Sequence, residues 1–405
     1  MASNGFPESG SADANAADAV ERDPFALVFT GGGARAAYQV GVVRWLARAF
    51  PDRFPPILTG VSAGAVNAAH LANHHGSFLQ AAEELVGLWE SLTPERVFRV
   101  DVSSLGWKAA RWGLQLVSGG HLRAGEARGL VDTTPLHRFL EEALHAVGGE
   151  LTGIEYNLAR RRLRAVGLIT TSYSTSQAVI WLQGRDGIEP WTRPQRRSRT
   201  DRLTVSHVMA SAALPLVFPA VRIEDGWYGD GGVRLTAPLS PALHLGATRM
   251  IAVSTRHDRS QTEADLPKVV GYPPPIHVAG LMLNAVFLDV IDQDALQMEK
   301  INQLVRQLPA EKRNGMRIVD LLVIRPSEDL GRLAAAYEPR LPKPLRFLTR
   351  GLGSKQTSTP DLISLLMFQP DYVRRLIEMG EHDAELRRAE ITGFLARESI
   401  SEMIT

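Results

Sequence analysis

Cysteine is absent from all 405 residues. That excludes disulfides, thiolate metal sites and a cysteine nucleophile, so any nucleophile must come from another side chain. An excess of either charge is also missing: 45 Lys and Arg stand against 44 Asp and Glu, a formal charge of +1. A protein built to bind a phosphate backbone ordinarily carries a strong basic excess, so nucleic acid is not an expected partner. No uncharged apolar run approaches the roughly 18 residues of a membrane span, and the long apolar region around Gly280–Ile291 is broken by Asn284 and Asp289. Residues 1–23 hold five acids and one Arg, without a basic start or a continuous apolar stretch. They do not read as a Sec signal, and a disordered tail is the expectation. The expected location is therefore the cytoplasm or the periphery of a membrane.

What is present is globular: 44% hydrophobic and 22% charged residues, with length for a large core. Order is expected to begin at the apolar run Phe25–Phe29, which ends in Thr30-Gly31-Gly32-Gly33 and leads into a helix-compatible stretch to Phe50. Pro56-Ile57-Leu58-Thr59 repeats the grammar, breaking at Gly60-Val61-Ser62-Ala63-Gly64 before a small-residue helix. Ser77 with Gln80 three residues on forms a capping-box pattern for a further helix that should end near Pro94. Further strands are expected within 163–170, 178–182, 249–255 and 318–326, and helical tracts over about 280–307 and 371–396. Repeated strand–turn–helix units predict an α/β fold with a mostly parallel sheet. The expected division is a core over 24–256, a helical and strand extension of the same domain over 257–390, and a tail over 391–405. Residues 97–125 suggest no firm element.

The chemistry concentrates in three glycine-rich turns. Gly60 and Gly64 flank Ser62 between a strand and a helix, the setting of a nucleophile elbow: a tight turn lifts the hydroxyl clear of the sheet, and the helix N-terminus favours negative charge beside it. Gly31-Gly32-Gly33-Ala34-Arg35 offers successive backbone amides at the start of another helix. As a dinucleotide fingerprint it fails, because Ala36 stands where the third Gly is needed, and the Walker Lys-Ser/Thr is missing. With Ser62 as nucleophile, the amides of Gly31, Gly32 and Gly33, joined by that of Ala63, can instead stabilise a tetrahedral oxyanion. Asp230, followed by Gly231 and Gly232, places a carboxylate in a third turn. Alone, Asp-Gly is an ordinary turn pair.

Taken together these motifs resemble the patatin-like phospholipase family: GGGAR at 31–35 matches its glycine-rich motif, GVSAG at 60–64 its nucleophile motif, and DGG at 230–232 its dyad motif. ASAALPLVFPAV at 210–221 resembles the stretch leading to the dyad Asp, and residues 361–384 resemble a C-terminal block of bacterial members. Arg35, Gly60, Gly64, Gly231 and Gly232 support these motifs. One departure is Ala36, where the family's first motif usually closes with Gly; the expectation is a reshaped turn that still functions. The resemblance implies a three-layer α/β/α patatin-like fold and a serine acyl hydrolase acting on phospholipids or other fatty-acyl esters. Ser62 and Asp230 would form a dyad without a catalytic histidine, an acyl-enzyme would be hydrolysed by water, and no cofactor or metal would be needed. An Asp near its normal pKa is a weak base toward serine, so the amides would have to supply much of the rate.

Three alternatives stand beside this reading. A lipid acyltransferase or thioesterase would keep the dyad and change the acceptor, and a silent lipid-binding or scaffold protein would not use it. His244 and His257 both follow Asp230 and could complete an ordinary triad. His70 and His74 have the i, i+4 spacing of zinc helices but lack the Glu of H-E-x-x-H, so surface histidines are expected. Arg160, Arg161, Arg162 and Arg164, and Arg193, Arg196, Arg197, Arg199 and Arg202, could meet anionic headgroups or lie in solvated loops, and Trp107–Val117 could be an interfacial patch or buried packing.

Overall fold

The computed structural model describes residues 25–99, 131–215, 217–259, 261–265, 290–340 and 360–396, with Val278, Leu281 and Met282. The expected tail at 1–23, the Trp107–Val117 segment and residues 397–405 lie outside the described residues. So does much of the 257–290 stretch.

One ten-stranded sheet organises the molecule, with strands in the order β10-β9-β1-β2-β3-β4-β6-β5. These are β1 Phe25–Phe29, β2 Ile57–Val61, β3 Ala165–Ser172, β4 Ala178–Gly184, β5 Thr192–Arg193, β6 Arg196–Thr200, β9 Arg249–Val253 and β10 Asp320–Ile324; β7 Val221–Ile223 and β8 Gly226–Asp230 pair beside β3. From β10 through β3 every pairing is parallel, and β4 then runs antiparallel to β3. Period-two alternation sends Phe25, Leu27 and Phe29 into one apolar layer and Ala26 and Val28 into the other. A strand buried on both faces needs no polar positions, which is why β1 reads as an unbroken apolar run. The first layer holds α1 Ala37–Ala49, α2 Ala63–Asn73 and α3 Phe78–Glu90; the second includes α4 Ser240–His244 and α5 Val290–Gln307. Two helical layers around a mostly parallel sheet make the three-layer α/β/α fold.

Local signals decide several boundaries. Ser77 caps α3 in the expected reciprocal arrangement, its Oγ accepting from the Gln80 amide at 3.2 Å while Gln80 Oε1 accepts from the Ser77 amide at 2.8 Å. The tract at 371–396 forms two helices, α6 Pro370–Leu386 and α7 Arg388–Ala396. Against α1, α6 contributes Glu381 to a bidentate pair with Arg44, and Trp45 Nε1 donates to Glu385 at 2.6 Å. No helix among the described residues is long and apolar enough to cross a membrane.

Candidate active site

Ser62 and Asp230 are 168 residues apart in the chain and are brought together by β3. Running parallel to β3, β2 ends with Val61 opposite Ile169. From the other direction β8, antiparallel to β3, ends with Asp230 opposite Thr170. Two strand ends thus meet head to head on consecutive rungs of one partner, leaving Ser62 beside Asp230. The expectation of Asp230 in a free turn is refined accordingly: it closes a strand and caps the following 3-10 turn, Gly231–Val233.

At Ser62 the backbone takes φ 58° and ψ −133°, a conformation that is costly for a non-glycine residue and that surrounding contacts must enforce. Those contacts are tight. A methyl group at Gly60 would lie 2.3 Å from the Gly64 carbonyl oxygen, and one at Gly64 would lie 2.5 Å from that of Thr30. Helix α2 begins at Ala63, so its N-terminal dipole points at the serine. The Ser62 amide donates to Ser211 Oγ at 3.0 Å, and Ser211 Oγ donates to the Ile169 carbonyl at 2.6 Å.

The glycine-rich turn lies against this elbow. A methyl on Gly31 would come within 3.1 Å of Ser62 Cβ. Gly32 and Gly33 both have positive φ, 152° and 54°, so the turn depends on glycine there. Thr255 Oγ1 donates to the Gly31 carbonyl at 2.6 Å and fixes that peptide plane. No hydrogen bond among the described residues uses the amides of Gly32, Gly33 or Ala63. Ala36, where glycine was the usual residue, has φ −66° and is buried, a backbone open to any L residue. Arg35 is buried and donates through Nε to Ser364 Oγ at 2.6 Å, joining the turn to the segment before α6.

Asp230 is completely buried. Its Oδ1 accepts from the Gly232 amide at 2.9 Å, its own amide donates to the Ala213 carbonyl at 3.0 Å, and Thr171 Oγ1 donates to its carbonyl at 2.8 Å. Burial pushes the carboxyl up from 3.8 to about 7, against smaller lowering effects of the Ser62 hydroxyl and the Gly232 amide. The Ser62 hydroxyl is close enough to act on that pKa, while Oδ2 makes no hydrogen bond of full geometry. An Asp near its normal pKa was the expectation from sequence. Desolvation overturns it, because the charged form loses its water without gaining a cationic partner.

Beside the serine opens an apolar cavity. Gly32, Gly33, Ser62 and Ala63 line one end, and Trp89, Phe139, Phe218 and Phe368 are among the walls. The remaining polar candidates lie elsewhere. His244 stacks on Trp191 with centroids 4.5 Å apart and its Nδ1 lies 2.8 Å from the Ser240 carbonyl; His257 Nδ1 lies 2.9 Å from the Pro326 carbonyl. Neither has Ser62 or Asp230 among its described partners. His70 is not a surface residue but is buried against the Ala81 carbonyl, and desolvation lowers it to about 4. No group of three or more His, Asp or Glu among the described residues could hold a metal ion.

The second Arg cluster is more structured than a solvated loop, whereas in the first Arg160 and Arg161 are exposed in a turn. Arg162 lies over the Phe54 ring and Arg199 over Trp181 while pairing with Glu224, and Arg193, Arg196, Arg197 and Arg199 sit on β5 and β6. Sequence reasoning missed Ser211, Thr171, Thr255 and Ser364 as supports of the site. Ser211 fell inside the 210–221 block, the one signal that pointed near it.

The model of the patatin-like phospholipase family matches residues 27–243, more than half of the chain, a range that holds the glycine turn, Ser62 and Asp230. The chain belongs to the patatin-like phospholipase family. Among solved structures, human GIVD cytosolic phospholipase A2 bound to methyl gamma-linolenyl fluorophosphonate is similar at 14% identity and TM-score 0.45, over 95% of this chain and 62% of that one. VipD from Legionella pneumophila is similar at 12% identity and TM-score 0.36, over 90% and 66%. A Pseudomonas aeruginosa complex of ExoU with SpcU is similar at 15% identity and TM-score 0.26, over 94% and 80%. The chain therefore spans slightly under two thirds of the first two. No curated protein matches the sequence. The family match ends at residue 243, so Ser364 and the cavity wall at Leu365, Leu366 and Phe368 are supplied from beyond it.

Proposed function

We propose that this patatin-like phospholipase is a serine lipid acyl hydrolase that cleaves fatty-acyl esters, phospholipids among them, through Ser62 and Asp230. The observation that carries the reading is the meeting of Ser62 with a wholly buried carboxylate, beside an apolar cavity that Ser62 and the glycine turn both line. In the acylation step the Ser62 oxygen adds to the ester carbonyl carbon while its proton passes to Asp230 Oδ2. The amides of Gly32, Gly33 and Ala63, with that of Gly31 at the edge of the turn, receive the oxyanion. As the tetrahedral intermediate collapses, the C–O bond to the alcohol breaks and Asp230 returns the proton to the leaving oxygen. Water then repeats the sequence on the acyl-enzyme, with Asp230 again taking and returning the proton. The cavity accepts the fatty-acyl chain, and its apolar walls favour lipid over polar esters.

A fluorophosphonate probe tests the reading. The expected result is one covalent adduct per chain, located on Ser62 and absent from Ser62→Ala. Failure to label a folded protein would refute the assignment and favour a silent lipid-binding protein. Product analysis in the presence of added alcohols then separates hydrolysis from transfer, which the same dyad could perform on another acceptor.

A further inference from the structure

We propose that Ser211 is a positioning residue that holds the elbow of Ser62 to β3 and, through its neighbour Ala213, sets the spacing between Ser62 and Asp230. The inference rests on the dyad reading and concerns a residue that the chemistry itself does not touch.

The ladder between β2 and β3 has a gap at its end. If β2 continued beside β3, the amide after Val61 would donate directly to the Ile169 carbonyl. The elbow turns Ser62 away at φ 58°, and the strand cannot supply that rung. Ser211 Oγ fills the interval, accepting from the Ser62 amide at 3.0 Å and donating to Ile169 O at 2.6 Å. Both of its contacts are on buried groups, and Ser211 itself is wholly buried. Water has no place in this relay; the hydroxyl is the bridge.

A second contact from the same segment reaches the other half of the dyad. Two residues on, the Ala213 carbonyl accepts from the Asp230 amide at 3.0 Å. The segment 211–213, at the end of the helix Val205–Ser211, therefore grips the backbones of both Ser62 and Asp230. Ile169 is the common reference: it carries the Ser211 bond, and a methyl at Gly231 would lie 2.3 Å from its carbonyl oxygen. Misplacing a reacting group by about 1 Å can cost about 100-fold in rate, so a bridge this close to the nucleophile controls turnover without contacting substrate.

The test uses the full chain, a soluble short-chain ester and a fluorophosphonate probe followed to completion. Ser211→Ala should lower kcat by about 100-fold with KM within about threefold, because binding groups are untouched and only the alignment for attack is lost. Its labelling should be slower by a similar factor yet still reach one adduct per chain. Ser211→Cys keeps a hydrogen-bonding group at the position, though a bulkier and weaker donor and acceptor, and should label at least about tenfold more slowly than the parent. Parent-like labelling in either variant would overturn the proposal. So would a Ser211→Ala preparation in which a reduced fraction of chains labels at the parent's rate, since that pattern marks lost folding and not lost alignment. A parent protein that does not label at all is a different outcome: it refutes the dyad reading on which this one rests.

Discussion

Replacing Asp230 with Asn should make the protein more stable at alkaline pH, and by an amount that can be worked from the site. The folded carboxyl titrates near 7 and the unfolded one near 3.8. Because the folded value is the higher, its favourable contribution is complete below about pH 3.8 and is lost as pH rises through 7. Three pK units at about 1.4 kcal/mol each put the cost of the desolvated carboxylate at about 4 kcal/mol above pH 8. At pH 5, where only the unfolded chain has ionised substantially, the cost is about 1.5 kcal/mol. Asparagine is nearly isosteric and keeps an oxygen for the Gly232 amide, and it carries no charge to desolvate.

The variant should therefore gain about 3 kcal/mol on the parent between pH 5 and pH 9, which for a chain of this size shifts Tm by about 3.5 °C. Thermal unfolding of both proteins at the two pH values measures it, and other titrating groups cancel in the difference. The parent's kcat/KM should rise tenfold per pH unit up to the same midpoint near 7, because the ionised carboxylate is the competent base. A Tm difference that is independent of pH would refute the reasoning, since it would mean that Asp230 is not held out of water.

The other predictions concern the site and its surroundings. Ser62→Ala and Asp230→Asn should each reduce ester turnover by several orders of magnitude with folding intact, and the double variant should be little worse than either, as steady-state assays of all three will measure. His244→Ala and His257→Ala should retain most of kcat, whereas a triad base would cost about 10⁴-fold or more. Anionic vesicles should recruit the protein in a salt-sensitive way, and replacing Arg196 and Arg197 with Gln should weaken co-sedimentation at low salt while sparing a soluble ester. Equal co-sedimentation of variant and parent would remove those arginines from any contact with lipid.

Legibility in the sequence followed the range of the interaction. The elbow at Ser62 was readable because a strand, a glycine turn and a helix are adjacent in the chain, and β1 and β9 were readable as apolar runs. β8 was not: Gly226–Asp230 has two glycines and no alternation, and it exists as a strand because β3 and β7 pair with it. β6 was hidden for another reason. Arg196, Arg197 and Arg199 read as a cluster for anionic headgroups or a solvated loop, yet Arg199 sits over the Trp181 ring and pairs with Glu224, contacts supplied by distant segments. His70 has helical spacing that says nothing of depth, and it is the packing of α3 across it that buries it. The raised pKa of Asp230 was likewise out of reach, because it depends on how many atoms surround a carboxylate and not on which residues flank it.

That pKa also bears on how a site without histidine could work. Imidazole suits serine catalysis because its pKa lies near neutrality, where a base is both largely deprotonated and able to accept a proton. A solvated aspartate near 3.8 is deprotonated but too weak; moving it to about 7 by burial places it in the imidazole range with no second residue to orient it. The orientation then has to come from the backbone, which is where the Gly232 amide on Oδ1, the Ala213 carbonyl on the Asp230 amide and the Thr171 hydroxyl act. Oδ2 is the oxygen left without a hydrogen bond of full geometry, and it is the one available to the serine proton. Basicity obtained in this way is inseparable from instability, since the same desolvation sets both. Raising the pH through 7 should increase activity and lower the folding free energy together, a coupling that a solvated base would not produce.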